Sequence, residues 1–183
     1  SPVNSPLDQV NGTMTLNAGI NGIPGLTGSG GNFLFASRAD VAADASRTIF
    51  VVHTAAAGNN GLYMSRSQTG ICIYGGTDQT TVESNNTVVN SLAANGAAGN
   101  HVTEMVVTGI VTNKPVFLVD GTPEVLTTTG GTGVGSETGS ADTRVGRTAG
   151  TICAVLVYDS ALSAGNRALV RAYLGTKYAI TVV

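Results

Sequence analysis

Charge is scarce in this chain, and that scarcity excludes more than any motif does. Charged residues make up 11% of the 183 residues, well under the roughly 25% of an average globular domain. Nine Lys and Arg against eleven Asp and Glu leave a net charge of −2. The basic residues form no cluster suited to gripping phosphate backbones, so no nucleic-acid partner is expected. Arg167, Arg171 and Lys177 do fall close together, and they read as one solvated helix face. Tryptophan is absent and aromatics are 5% of the chain, which leaves little for a stacking platform of the kind sugar sites use. No apolar run approaches the roughly 18 residues of a spanning helix, so membrane insertion is not expected. The opening Ser1-Pro2-Val3-Asn4 has neither a basic n-region nor an apolar h-region, and no signal peptide is expected there. Cys72 and Cys153 each sit inside an apolar run. Two cysteines define no disulfide framework, and they read as small buried hydrophobes.

What is abundant points to strands and turns. Glycine reaches 25 residues, accompanied by Thr, Ser, Val, Asn and Ala, while Glu and Lys are few. β-Branched residues favour strands, and Gly and Asn favour the turns between them. With so few charges, solubility must rest on hydroxyls and amides, a surface that also suits a protein locked into an assembly. A chain of this length buries about 70% of its unfolded surface and needs no metal or disulfide staple to fold.

Turn clusters alternate with short apolar runs along the sequence. Residues 1–13, with Pro2 and Pro6, read as an extended N-terminal arm, and residues 14–183 as a single domain. Asn21-Gly22, Pro24-Gly25 and Gly28 to Gly31 punctuate the first stretch. Strands are expected at 33–36, 48–53, 61–65, 71–74, 105–110, 115–119 and 151–158. The uninterrupted apolar character of 48–53 and of 151–158 marks strands covered on both faces. Residues 76–100 read as polar, interrupted by Val88-Val89, and 127–143 as a Thr/Gly/Ser loop. Asp120-Gly121 between 115–119 and 122–126 fits a type I′ hairpin, whose two central residues need positive φ. One helix closes the chain: Ser163 is its N-cap, Leu162 its staple, and Lys177 favours its C-terminus. Val170, Tyr173, Leu174 and Tyr178 share one face of it. Two stacked antiparallel sheets follow from the strand count and turn spacing.

Three segments resemble the concanavalin A-like lectin/glucanase superfamily, in the laminin-G-like branch found in bacterial surface and bacteriophage virion proteins. Asn21 to Leu26, running on to Gly31 and Phe33, is similar to its opening turn and strand. Phe117-Leu118-Val119-Asp120-Gly121 is similar to its central strand ending in Asp-Gly. Gly150 to Asp159, then Ala161-Leu162-Ser163 and Arg167 to Tyr178, is similar to its closing strand, cap and helix. The resemblance spans about residues 14–180 and implies an all-β, two-sheet antiparallel jelly-roll sandwich with one short C-terminal helix. Ala154 stands where this family often carries Glu, so a role for that carboxylate is absent here. The shared residues are structural, so fold is implied more firmly than function.

The chemistry-bearing residues point away from catalysis. Retaining glycosidases need two carboxylates about 5 Å apart, but Glu83, Glu104, Glu124 and Glu137 each stand alone. His53 and His101 are the only histidines, and a half-buried or surface imidazole is the plainer account of each. The Gly-rich run 130–135 lacks the Lys-Ser/Thr and helix of a phosphate loop. Related lectins hold Ca²⁺ with loop carboxylates, which directs attention to Asp40, Asp44, Asp78 and Asp142. Their spacing matches no dedicated calcium loop, so no metal-binding residue is assigned and no cofactor is expected. The sequons at Asn11 and Asn85 count for little in so Asn- and Thr-rich a chain. Tyr63 and Tyr74 are candidates for a concave ligand face, or equally for the core. No catalytic or ligand-binding residue is assigned. The expectation is a non-catalytic structural or adhesion module, displayed on a bacteriophage virion surface as a head or tail decoration protein, with host-glycan contact. It would be a homo-oligomer or would dock on capsid or tail subunits. The alternative is a secreted bacterial carbohydrate-binding module at the cell surface, with a polysaccharide as partner.

Overall fold

The computed structural model describes residues 13–28, 45–54, 99–108, 115–125, 144–146 and 150–183 together with Tyr63, and gives strand placement alone for further segments. In chain order the first strands are β1 (Gln9–Asn11), β2 (Met14–Ile20), β3 (Ile23–Gly28), β4 (Phe33–Ala36) and β5 (Arg47–Thr54). They are followed by β6 (Asn60–Ser65), β7 (Ile71–Gly75), β8 (Thr80–Ser84), β9 (Thr87–Ser91) and β10 (Asn100–Val107). The last are β11 (Val116–Val119), β12 (Thr122–Pro123), β13 (Leu126–Thr128), β14 (Thr143–Arg147) and β15 (Thr151–Tyr158), before helix α1 (Ala164–Tyr178). Two antiparallel sheets result, a seven-stranded one in the order β12-β11-β10-β5-β15-β3-β2 and an eight-stranded one in the order β1-β4-β14-β6-β7-β8-β9-β13. The protein is an all-β sandwich with a short C-terminal helix.

Strand β5 explains how the layers are assembled. Ile49 and Val51 point inward, to an inter-sheet core shared with Met105, Val107, Phe117, Val119, Ile152 and Val157, and with Tyr63 and Val145 from the other sheet. Phe50 and Val52 point outward, to a second core under α1 with Val102, Ile20, Leu174, Tyr178 and Ile180. A strand buried on both faces cannot alternate apolar with polar, which is why its middle, Ile49 to Val52, runs apolar without a break. β15 keeps the same division by means of a bulge between Ile152 and Ala154. The extra residue lets Ile152 and Val157 both face inward although their spacing is odd.

Two tight turns hold positive φ at both central residues: Asn21 and Gly22 at 50° and 70°, Asp120 and Gly121 at 52° and 86°. Both are type I′ hairpins, as the Asn-Gly and Asp-Gly dipeptides require. The helix begins where Ser163 caps it, its Oγ accepting from the Asn166 amide at 3.3 Å.

Several sequence expectations need correction. Pro24-Gly25 is no turn; both lie inside β3, because the Asn21-Gly22 hairpin has already reversed the chain. β10 starts at Asn100 and ends at Val107, earlier than the apolar run suggested, since its first residues pair with Thr54 and His53. Residues 76–100 contain β8 and β9, paired with each other, where Thr and Val carry strand preference behind a polar composition. Leu126–Thr128 and Thr143–Arg147 are strands at the two ends of the segment read as a loop; its middle lies outside the described residues. Gln9–Asn11, within the expected arm, forms the edge strand against β4, and residues 1–8 lie outside the described residues. Tyr173 is 59% exposed and leaves the apolar face of the helix to Val170, Leu174 and Tyr178. Arg167 and Arg171 are not a solvated face. Both reach inward to Glu104, a carboxylate that no solvent touches.

Candidate functional site: the polar end of the seven-stranded sheet

At one end of the seven-stranded sheet the strands stop being apolar. Thr54 and Asn100 are register partners, as are Thr151 and Thr27, and Thr27 and Thr15. The register that sets Ile152 against His53 carries Thr151 alongside Thr54. Asn100, Thr54, Thr151, Thr27 and Thr15 therefore form one row across β10, β5, β15, β3 and β2. All point to the outer face: Thr54 and Asn100 are in phase with Val52 and Val102, which pack under the helix. Asn17, on β2, joins the row one step along.

The row is knitted together by its own side chains. Thr54 Oγ1 donates to Asn100 Oδ1 at 2.9 Å. Asn17 Nδ2 donates to Thr27 Oγ1 and, at 3.1 Å, to Thr151 Oγ1, while its Oδ1 accepts from the Gly19 amide at 2.8 Å. Thr27 and Thr151 hydroxyls lie 2.8 Å apart. Gly25 sits beneath. A Cβ there would lie 2.5 Å from Thr151 Cγ2 and 2.8 Å from Cys153 Sγ, so only glycine lets Thr151 settle flat on β3.

On the inner face of the same end lie the two histidines. Register pairs His53 with His101, and their ring centroids are 5.9 Å apart. His53 Nε2 is 2.9 Å from Thr103 Oγ1, while Nδ1 meets no partner in hydrogen-bonding geometry among the described residues, although the Thr54 backbone lies close. Burial, and secondarily the charge of His101, pull the His53 pKa down to about 3 against the opposing pull of Asp120. His53 is a neutral imidazole. His101 Nδ1 is 2.8 Å from Asp120 Oδ2, and the other Asp120 oxygen accepts from the Val102 amide at 2.8 Å. Asp120 thus ties the Asp-Gly turn to β10. Its carbonyl accepts from the Val183 amide at 2.9 Å, so the tail after α1 ends beside the same turn.

The remaining candidates are not brought together. Glu104 is neutralised by Arg167 at 2.8 Å and Arg171 at 2.6 Å. Glu124 follows the hairpin and is half-buried. Glu83 lies on β8 with its side chain outside the described residues, and Glu137, Asp40, Asp44, Asp78 and Asp142 lie outside the described residues altogether. Tyr63 is fully buried in the inter-sheet core and offers no platform; the Tyr74 side chain lies outside the described residues. Cys153 carries a free thiol, half-buried on the helix side, and burial pushes its pKa up. Among the described residues no group of three or more His, Cys, Asp or Glu could hold a metal ion. Among the same residues no helix is long and apolar enough to cross a membrane. The hydroxyl and amide row was not visible in the sequence. Its members come from five strands, and each alone is an ordinary strand-end Thr or Asn.

The fold and its polar rim define a two-sheet β-sandwich domain with a helix packed on its outer face. Similar solved structures exist at low identity. The binding domain of botulinum neurotoxin DC, solved in complex with rat synaptotagmin II, superposes with TM-score 0.61 at 14% identity, over 91% of this chain and 46% of that one. A botulinum neurotoxin type C structure, described as dependent on two ganglioside molecules for cell entry, gives TM-score 0.61 at 11% identity, with 91% and 46% covered. Domain 4 of an extracellular arabinanase from Geobacillus stearothermophilus, in complex with arabinotriose, gives 0.59 at 11%, over 84% of this chain and 78% of that one. The chain spans about half the length of the neurotoxin chains it matches. At these identities the likeness is one of fold. No protein-family model and no curated protein matches the sequence.

Proposed function

We propose that this chain is a non-catalytic glycan-binding module of the concanavalin A-like kind. The observation that carries the proposal is the polar end of the seven-stranded sheet, where hydroxyls and carboxamides from separate strands share one face without a carboxylate among them. Sugar hydroxyls both donate and accept, and Thr and Asn side chains answer them in kind. Similar folds occur in structures solved with arabinotriose or described with gangliosides, which supports the same choice. Catalysis by paired carboxylates gains no support from the described acids: Glu104 is committed to two arginines and Asp120 to His101 and a backbone amide.

The experiment is a glycan array probed with the folded protein, with and without Ca²⁺, alongside a reducing-sugar assay on every glycan bound. Saturable binding without sugar release supports the module. Silence across the array with the fold intact sinks it, and release of sugar overturns the non-catalytic part.

A second reading concerns place and assembly. We propose display on a virion surface, as part of a homo-oligomer or docked on capsid or tail subunits. Low charge supports it, and so do Leu169 and Tyr173, one helical turn apart and both exposed on the outer side of α1. Sedimentation at high concentration tests the oligomer. A monomer whose behaviour is unchanged by deleting residues 1–10 would end that version and leave the alternative, a secreted module at a bacterial cell surface.

A further inference from the structure

We infer that the row Asn100–Thr54–Thr151–Thr27–Thr15, with Asn17, is the binding face itself, and that its ligand is an uncharged glycan chain lying across the strands. The inference rests on the glycan-binding proposal and adds where the glycan sits and which charge class it belongs to.

Its first ground is chemical. No side chain in the row carries a charge. Among the described residues, the cations nearest the sheet on this face, Arg167 and Arg171, are held on Glu104 under the helix. Lys177, farther along the helix, lies over the rings of Tyr173 and Tyr178, 5.8 and 5.4 Å from their centroids. An acidic sugar would give up hydration at the row and gain no opposite charge there. A neutral sugar exchanges water for hydroxyl and amide partners of matching strength.

The second ground is unspent hydrogen-bonding capacity. Thr54 uses its one proton on Asn100 and keeps acceptor lone pairs. Asn100 accepts through Oδ1, and its two Nδ2 protons have no partner among the described residues. Within the Thr27–Thr151 pair one hydroxyl donates to the other, which leaves a proton aimed elsewhere. Thr15 is exposed. Unused donors and acceptors thus stand on separate strands along the row.

Shape and rigidity are the third ground. Five strands spaced about 4.8 Å apart make the row about 19 Å long, a short oligosaccharide rather than a single ring. The internal bonds fix the side chains before any ligand arrives, so little rotamer entropy remains to be lost on binding. One side of the row is bounded by the chain after the helix, where Ile180 packs over Val52 and Val102 and Val183 is tied to Asp120.

Isothermal titration of the whole chain tests this. The neutral probes are arabinotriose and the arabino-, xylo- and gluco-oligosaccharides. The acidic probes are sialyllactose and oligogalacturonate. Thr27→Val and Thr54→Val keep shape and remove one hydroxyl each, Asn100→Asp adds a charge, and Leu169→Ala on the far side of the helix is the control. Circular dichroism and thermal unfolding verify the fold of each variant. Binding to a neutral probe, weakened roughly fivefold or more by either valine variant and by Asn100→Asp but not by Leu169→Ala, is the expected result. Binding confined to the acidic probes overturns the inference. So does neutral binding that folded row variants leave unchanged, and in both cases glycan binding itself stands. Binding to no glycan removes both.

Discussion

His53 and His101 are direct partners across the β5–β10 ladder with their rings 5.9 Å apart, yet only His101 has a carboxylate beside it. His53 faces the inter-sheet core, is buried, and stays neutral down to about pH 3. An unfolded histidine titrates near 6.5. Below that value the unfolded chain binds a proton that the folded chain refuses, so stability is complete above about pH 6.5 and is lost as pH falls toward 3. Urea unfolding at pH 7 and at pH 5 should differ by about 2 kcal/mol from this group. His53→Gln, whose amide can still meet Thr103, should flatten the curve between pH 5 and 6.5. An unchanged slope in that variant would assign the pH dependence elsewhere.

Glu104 is the hinge of the helix-to-sheet contact. Each of its oxygens takes one guanidinium, Arg167 and Arg171 standing four residues apart on α1. Glu104→Gln leaves both arginines over the sheet without a countercharge, and their Nε atoms already lack partners among the described residues. The expected cost is about 3 kcal/mol in urea unfolding, reduced to the extent that the arginines swing out to solvent. A triple replacement by Leu and Met at 104, 167 and 171 should recover most of it, because an apolar interface needs no countercharge. If the triple variant is no better than Glu104→Gln, packing rather than charge governs this contact.

How much of this was legible beforehand follows from what each feature depends on. The Asp120-Gly121 type I′ turn was readable because Asp-Gly between two apolar runs states its backbone need locally, while Asn21-Gly22 was legible as a turn without its type. β5 and β15 were readable because their middles, Ile49 to Val52 and Ile152 to Val157, are unbroken apolar runs. β8 and β9 were hidden, since Thr and Asn serve strands and loops alike and only pairing decides between them. The solvated face assigned to Arg167 and Arg171 failed for the same reason: nothing on the helix reveals that Glu104, 63 and 67 residues upstream, lies beneath it. The polar row required the register of five strands at once, and no window of sequence contains that.

Gly121 couples the second hairpin to the end of the chain. Its φ is +86°, and a Cβ on it would collide with the carbonyl oxygen of Val183. Gly121→Ala therefore meets two penalties, a left-handed backbone and a displaced tail. The expected destabilisation is about 2 kcal/mol. Hydrogen exchange should show the Val183 amide, which donates to Asp120, losing protection ahead of the β5 core. Gly22→Ala is the comparison, because its φ of +70° carries the same backbone cost with open space around the Cβ. Equal losses of stability in the two variants would show that the tail contact contributes nothing.

Gly25 isolates the packing beneath the row from the hydrogen bonds within it. Its φ falls outside the left-handed range, so Gly25→Ala brings no backbone strain, only a methyl group 2.5 Å from Thr151 Cγ2, 2.8 Å from Cys153 Sγ and 3.2 Å from the Ile152 carbonyl. Overpacking of this kind costs about 1–3 kcal/mol. Thr151→Ser removes the methyl that is struck first and keeps the hydroxyl that bonds Thr27 and Asn17. In the double variant Gly25→Ala/Thr151→Ser, the loss should be smaller than the sum of the two single losses by about 1 kcal/mol, since the substitutions share one volume. Thermal and urea unfolding of the four proteins in this cycle measure that coupling. Strict additivity would mean that Thr151 does not rest on Gly25, and with it would go the flat seating that orders the row.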